Sequence, residues 1–336
     1  MRSTYAVYGV GNAIMDTEVQ VADQLVAAAG LRKGTTALAP LEEQQRLLGN
    51  LSGYQQVRAA GGSVANTMVG VAQLGGAAFY VGKVGNDVAG ALYRQCMREA
   101  GVGFDVEGAI GPTGTCLVLV TPDGERTMQT SLASSSALEP GDIRPGPITQ
   151  SQIVYVEGYL WGAPSTTAAA ERVMGLARSA SVQVAISLSD PAIISSARDA
   201  IRSATRDFAS IVFCNEQEAQ AYAGTGDRME ALRHVAEDCP LVFMTCGKDG
   251  SIIWDGGQAT AVAGYEVPVV DTTGAGDAYA AGVIYGLTHE LSLSEAGTLG
   301  SFVSARVVTE LGPRLHDSLV GRVPDILGGA HPLGQG

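Results

Sequence analysis

Along the chain, short apolar runs rich in β-branched and aromatic residues alternate with longer stretches of helical spacing. "YAVYGV" opens the series, followed by a helix near 63–74, "AAFYVGKV", and a helix near 87–100 that Gly101 closes. The rhythm resumes with "SQIVYVEGYL", a helix near 165–179, "VQVAISLS", a helix near 192–206, "SIVFCN", two short helices to about 237, and "PLVFMTC". Runs such as "IVYV", "IVFC" and "LVFM" are apolar at every position, which predicts strands of a parallel sheet covered on both faces. Two regions break this pattern. Residues 12–40 carry "DTEVQVAD" and "GTTALAP", and 104–134 include "TGTCLVLVTPDGERTMQTSLA", whose Pro-Asp-Gly reads as a hairpin turn. Both predict half-exposed strands in a small sheet standing over one edge of the main one. The segment "GGAHPLGQG" is Gly and Pro rich and is expected to be a loose tail.

Charge and composition narrow the function. The 21 basic and 34 acidic residues give a net charge of −13, with the acids spread along the chain, so general affinity for nucleic acid or a membrane surface is not expected. Neither an export-type apolar segment at the start nor an unbroken apolar span is present, which places the chain in the cytoplasm as an expectation. Five cysteines without a C-x-x-C pair read as reduced thiols. "GVGNAI" lacks the third glycine of a dinucleotide fingerprint, neither Gly-Lys pair completes a P-loop, and the four histidines show no metal-ligand spacing.

One stretch remains, "DTTGAGDAYAAG" at 271–282. Gly274, Ala275 and Gly276 are small enough for backbone N–H groups to converge, and the helix that begins near Gly276 adds its unpaired first-turn donors and positive dipole end. Such a loop holds an anion. Asp277 beside it is either a first-turn acid that favours the helix start or a base next to a bound anion. The second option suits phosphoryl transfer, in which an alcohol loses its proton as it attacks phosphorus and fixed donors stabilise the moving charge.

The same stretch resembles the C-terminal signature of the ribokinase-like, or PfkB, family of small-molecule kinases, while "AGGSVANTMVGVAQLGG" (60–76) and "GKVGNDVAG" (82–90) resemble its N-terminal signature. The resemblance runs from about Tyr5 to Pro313. It implies an α/β fold, a three-layer α/β/α domain with a mostly parallel central sheet over 1–325. A discontinuous β-sheet lid comes from roughly 12–40 and 104–134, and 326–336 form the tail. It also implies ATP and Mg²⁺ as cosubstrates, K⁺ in some relatives, small molecules as the partners, and a monomer or homodimer.

By that resemblance Asp277 is the base and Gly274, Ala275 and Gly276 form the anion hole. Asn215 and Glu218 of "NEQEA" lie near the triphosphate, with Glu218 reaching Mg²⁺ through water, although the pair reads equally well as a helix N-cap and first-turn acid. Thr245, Gly247 and Thr272 line the nucleotide, Arg126 reaches the phosphates from the lid, and Asp271 and Thr273 neighbour a monovalent cation. On the acceptor side, Asn12, Asp16, Gly61, Gly62, Ser63 and Asn66 would bind a ribose-like ring. "GNAIMD", "PTGTC", "ERTMQTSLA", "VYVEGYL" and "ISLSDPAII" resemble the adenosine kinase branch, in which Ile14, Leu38, Cys116, Met128 and Leu132 would wall an apolar base pocket. Thr273 stands where adenosine kinases often carry Asn, and "KGTTAL" lacks the Gln of some of them. The leading expectation is a nucleoside kinase that transfers the γ-phosphoryl group of ATP to a ribose 5′-hydroxyl, converting adenosine to AMP, with a sugar kinase of the same family and a non-catalytic nucleoside sensor as the alternatives.

Overall fold

The wholly apolar runs become the interior strands of a large sheet. A computed structural model describes residues 3–104, 108–123 and 125–329, apart from the Thr36 side chain. The strands are β1 (Tyr5–Val10), β2 (Ile14–Gln20), β3 (Thr36–Leu38), β4 (Gln56–Gly61), β5 (Ala78–Val81), β6 (Gly103–Phe104), β7 (Gly114–Val120), β8 (Arg126–Ser131), β9 (Ser151–Glu157), β10 (Gln183–Ser187), β11 (Ile211–Asn215), β12 (Leu241–Thr245), β13 (Ser251–Asp255) and β14 (Gln258–Val262). Nine form one sheet in the order β14-β13-β12-β11-β10-β9-β1-β5-β6, parallel from β12 to β6.

Alternate residues of these strands enter separate cores. Tyr8, Val154, Ile186, Val212 and Met244 pack with the Pro164–Ser179, Glu216–Ala223 and Arg228–Asp238 helices. Val7, Ile153, Ala185, Phe213 and Phe243 pack with the Ser63–Gln73 and Ala275–Thr288 helices on the other face. The result is the expected three-layer α/β/α arrangement.

Chain direction along the sheet reverses at β1: β5 lies on one side and β9 on the other. In a doubly wound sheet the crevice at the carboxyl ends of such strands is where ligands bind.

The second sheet has the order β3-β8-β7-β2-β4, with β7 and β8 an antiparallel hairpin. Of the anticipated Pro-Asp-Gly turn, Pro122 and Asp123 form a turn and Gly124 lies outside the described residues. In this sheet one strand was not read from the pattern: β4, exposed at Val57, Arg58 and Ala59, adds residues 56–61 to a lid expected only from 12–40 and 104–134. Its run of small and polar residues carries no alternation. The chain passes between the two sheets through Gly11 to Ala13, and β4 runs through Gly62 into the Ser63–Gln73 helix, so two connections converge on the crevice. Gly62 has φ 99°, and a Cβ there would overlap the Asn12 carbonyl.

The β13–β14 hairpin extends the large sheet with antiparallel strands. Its signal lay in Gly256-Gly257, whose φ values of 53° and 103° suit a two-residue hairpin loop. The tail requires a correction. Residues expected to be loose from 326 begin inside the Val323–Leu327 helix, and Ile326 is buried with Val323, Leu315 and Phe302. Val323 and Ile326 stand three apart, which puts both on one helical face; residues 330–336 of the expected tail lie outside the described residues. Among the described residues no helix is long and apolar enough to cross a membrane.

The helix that carries the 271–277 loop is seated by glycines. A Cβ at Gly282 would stand 2.6 Å from the Gly300 Cα of the Leu293–Val307 helix. Gly282→Val is therefore expected to lower stability by about 1–3 kcal/mol, the range for overpacking, measured as a shift of the urea midpoint with an unchanged denaturant slope.

Candidate active site

The 271–277 loop is held from within and from the lid. Asp271 is buried, its Oδ1 accepting from the Thr273 N–H (3.0 Å) and its Oδ2 from the Gly312 N–H (2.8 Å). Arg126, on lid strand β8, brings Nη2 to 2.7 Å from Asp271 Oδ2 and 3.2 Å from Glu18 Oε2. Its Nε and Nη2 are nonetheless without an aligned hydrogen-bond acceptor. Arg126 thus ties lid to loop through its ion pairs with Glu18 and Asp271. Asp271, expected beside a monovalent cation, has both oxygens engaged by these groups.

Gly274 follows with φ 75°, a conformation its missing Cβ permits; a Cβ would also overlap the Pro313 carbonyl. It is the N-cap of the Ala275–Thr288 helix and leaves it without a side-chain cap, so the first-turn donors are not claimed by a cap. Gly274, Ala275, Gly276 and Asp277 line a cavity of about 430 Å³ together with Asn215, Glu218, Thr245, Gly247 and Thr272. A second cavity of about 460 Å³ adjoins it, sharing Thr245, Gly247, Thr272, Ala275 and Gly276 and running on to Tyr265, Val267 and Ser304. All the residues expected along a triphosphate except Arg126 stand around these two connected spaces.

Asp277 sits where the loop meets the opposite helix. Ser63 donates to its Oδ1 (2.6 Å) and Asn66 Nδ2 to its Oδ2 (3.0 Å). Burial pushes its pKa above the ordinary carboxyl range, against the pull of these two donors and of the Arg314 guanidinium. Asn215 and Glu218 form a full capping box: Asn215 Oδ1 accepts from the Glu218 N–H (2.8 Å), and Glu218 accepts from the Asn215 N–H (3.0 Å). The cap also faces the cavity. Burial raises Glu218 to about 7, helped by the Asp190 and Asp277 carboxylates. Among the described residues no three His, Cys, Asp or Glu side chains are grouped to cage a metal. Glu218 at the cavity wall fits a magnesium ion carried mainly by phosphate oxygens and water.

Among the residues expected to bind the acceptor, Asp16 lies against Gly61, where a Cβ would overlap its carboxylate. Burial raises Asp16 to about 7, while Arg314 and Arg126 oppose the shift. Ile14 and Cys116 form an apolar cluster with Val118 and Val120, against which Met128 and Leu132 pack. Leu38 does not join them: it is 73 % exposed on the three-residue edge strand β3. Asn12 is buried, accepting from Ser135 Oγ through Oδ1 (2.9 Å) and donating its N–H to Glu157 Oε1 (2.6 Å).

Glu157 was not anticipated. It is 1 % exposed at the end of β9 and also accepts from the Val64 N–H (3.3 Å), so one carboxylate joins the end of β1, the end of β9 and the start of the Ser63–Gln73 helix. A charged residue closing the apolar run "IVYVEG" was the available signal. Arg314 was also missed, and "GPRLHD" carries no pattern that singles it out.

Residues 42–318 match the pfkB family carbohydrate kinase. This chain belongs to the pfkB family. Among solved structures it is similar to an adenosine kinase from Sinorhizobium meliloti, with 35% identity over 96% of this chain and 99% of that one and a TM-score of 0.90. It is likewise similar to a probable sugar kinase protein from Rhizobium etli CFN 42, with 32% identity over 98% and 100% of the two chains and a TM-score of 0.91. A 5-dehydro-2-deoxygluconokinase from Shouchella clausii is 28% identical over 74% of this chain and 80% of its own length. As a pfkB-family kinase the protein is a phosphotransferase that uses ATP and Mg²⁺ and an alcohol acceptor on a sugar or nucleoside.

Glu157 gives this kinase an unusual pH signature. Burial raises its pKa from 4.5 to about 7, so the folded state holds a proton that the unfolded chain releases. The associated stability is present below the unfolded pKa and is lost as pH rises through the folded one. Thermal unfolding between about pH 5 and pH 8 is expected to show stability falling with pH, and Glu157→Gln to flatten the slope by on the order of 2–3 kcal/mol across that window. An unchanged slope in the variant would contradict the assignment.

Proposed function

We propose that this pfkB-family kinase phosphorylates the ribose 5′-hydroxyl of a nucleoside, with adenosine the preferred acceptor. The observation that carries the reading is the position of Asp277. Its carboxylate is aimed by Ser63 and Asn66 at the edge of the cavity that the Gly274 to Gly276 turn lines, beside the wall formed by Asn215, Glu218 and Thr245. In that setting Asp277 takes the proton of the attacking hydroxyl, and the uncapped helix start stabilises charge on the transferring group. Bound Mg²⁺ screens the phosphate charge. Asn215 and Glu218 orient the triphosphate end.

The acceptor assignment draws on the apolar cluster of Ile14, Cys116, Met128 and Leu132 in the sheet that carries Asp16. A purine face suits such a wall, and the Asp16 carboxylate suits two vicinal ribose hydroxyls. The likeness to the Sinorhizobium meliloti adenosine kinase supports the same choice. Exposure of Leu38 removes one expected part of the base pocket and favours a second reading, a sugar acceptor, in line with the likeness to the Rhizobium etli protein. Asp271 and Thr273 extend the proposal to activation by K⁺.

ADP release measured with adenosine, inosine, guanosine, ribose and fructose, in K⁺ and in K⁺-free buffer, tests these statements. Adenosine is expected to give the highest kcat/KM; faster turnover of a free sugar rejects the nucleoside reading. Asp277→Asn is expected to lose about 10²–10⁴-fold in kcat, the usual range for a general base, with acceptor binding retained by calorimetry.

A further inference from the structure

Behind Asp277 lies an arginine that the chemistry above does not use. Arg314 Nε donates to Asn66 Oδ1 (2.9 Å), and Asn66 Nδ2 donates to Asp277 Oδ2 (3.0 Å). A guanidinium only donates and a carboxylate only accepts, so these neighbours fix the sense of the Asn66 amide: its oxygen must face Arg314 and its nitrogen Asp277. Arg314 Nη2 is sealed from solvent and has no hydrogen-bond partner. Burial lowers the pKa of this guanidinium, and Tyr93, Asp16, Cys96 and Asp277 around it oppose that shift. Pro313, the residue before it, is the one against which Gly274 packs, so Arg314 is anchored beside the anion loop by backbone contact.

We propose that Arg314 is a positioning residue for phosphoryl transfer: it locks the Asn66 amide so that this donates to Asp277, and its charge keeps the Asp277 carboxylate ready to accept a proton. The inference rests on the assignment of Asp277 as base but not on the identity of the acceptor.

The need for such a cation follows from the surroundings. The groups that act on Asp277 and Arg314 include Asp16 on β2, Tyr80 on β5, Tyr155 and Glu157 on β9, and Tyr159 beyond it. Glu218 on the Glu216–Ala223 helix and Tyr93 and Cys96 on the Val88–Glu99 helix complete the set. Burial opposes ionisation of Asp277, whose charge in turn raises Asp16, Glu157 and Glu218, and of the groups acting on Asp277 Arg314 is the cation. Arg126 acts on Asp16 from the lid side.

The test is a series at one position: Arg314→Lys keeps the charge, Arg314→Gln keeps a donor without charge, and Arg314→Met keeps neither. The acidic limb of the kcat–pH profile, measured at saturating ATP with whichever acceptor the wild type turns over, is expected to move to higher pH by about one unit or more in the Gln and Met variants. One unit corresponds to roughly tenfold in kcat on the acidic side, with recovery at alkaline pH and a limb near the wild-type position for Lys. Effects through Asp16 fall on acceptor KM instead, because Asp16 binds and does not react. Carboxyl-detected NMR titration of the ligand-free protein, with the Asp277 signal assigned by Asp277→Asn, gives a readout that needs no turnover, and circular dichroism verifies the fold. An Asp277 midpoint and an acidic limb that stay put in Arg314→Met overturn the proposal. Failure of adenosine in the acceptor panel rejects the nucleoside reading alone and leaves this test standing with a sugar.

Discussion

Two helix starts from distant parts of the chain meet at one carboxylate. Ser63 and Asn66 occupy the first turn of the helix that follows β4, and Asp277 occupies the first turn of the helix that follows the Gly274 turn. The hydrogen bonds between them hold Asp277, the Gly274 turn and the start of the Ser63–Gln73 helix in one frame. Beside them, at the point of reversal in the large sheet, Glu157 fastens the ends of β1 and β9 to the Val64 N–H. Lid and loop are then joined by Arg126 and Asp271.

This frame concentrates acid. Asp16, Glu157, Glu218 and Asp277 all have raised pKa values, with burial the largest cause in each case. In a chain of net charge −13 such a cluster opposes binding of a polyanion unless cations are built in or brought along. Arg126 and Arg314 are the built-in part, one on the lid side and one behind Asn66. A magnesium ion that arrives with the nucleotide is the part brought along in this family. The two arginines therefore lie apart, Arg126 paired with Asp271 and Glu18 and Arg314 acting on Asp277 through Asn66.

Some of the site was legible because glycine and small residues are required by backbone geometry and leave a local trace. Gly274 with positive φ, the close approach at Gly61 and Gly62, and the Asn215–Glu218 cap each show as short patterns in the chain. Strands apolar at every position were equally legible, because burial on both faces admits little else. Strand β4 was not, since an edge strand in a half-exposed lid needs no apolar alternation. Leu38 was assigned to a wall that it does not reach, because an apolar residue on a short edge strand has no inner partner to draw it in.

By itself the sequence determined the α/β rhythm, the glycine-bearing turn at 274–276 and the placement of Asp277 in the first turn of a helix. These depend on residues close together in the chain, where spacing and conformational freedom leave few alternatives. Only the tertiary structure decided that Asn66 stands between Asp277 and Arg314, that Glu157 ties three elements together and that Arg126 reaches Asp271. Each of these is a single polar side chain whose role is set by the charge and hydrogen-bonding capacity of partners far away in sequence, and no local pattern encodes which partner that is.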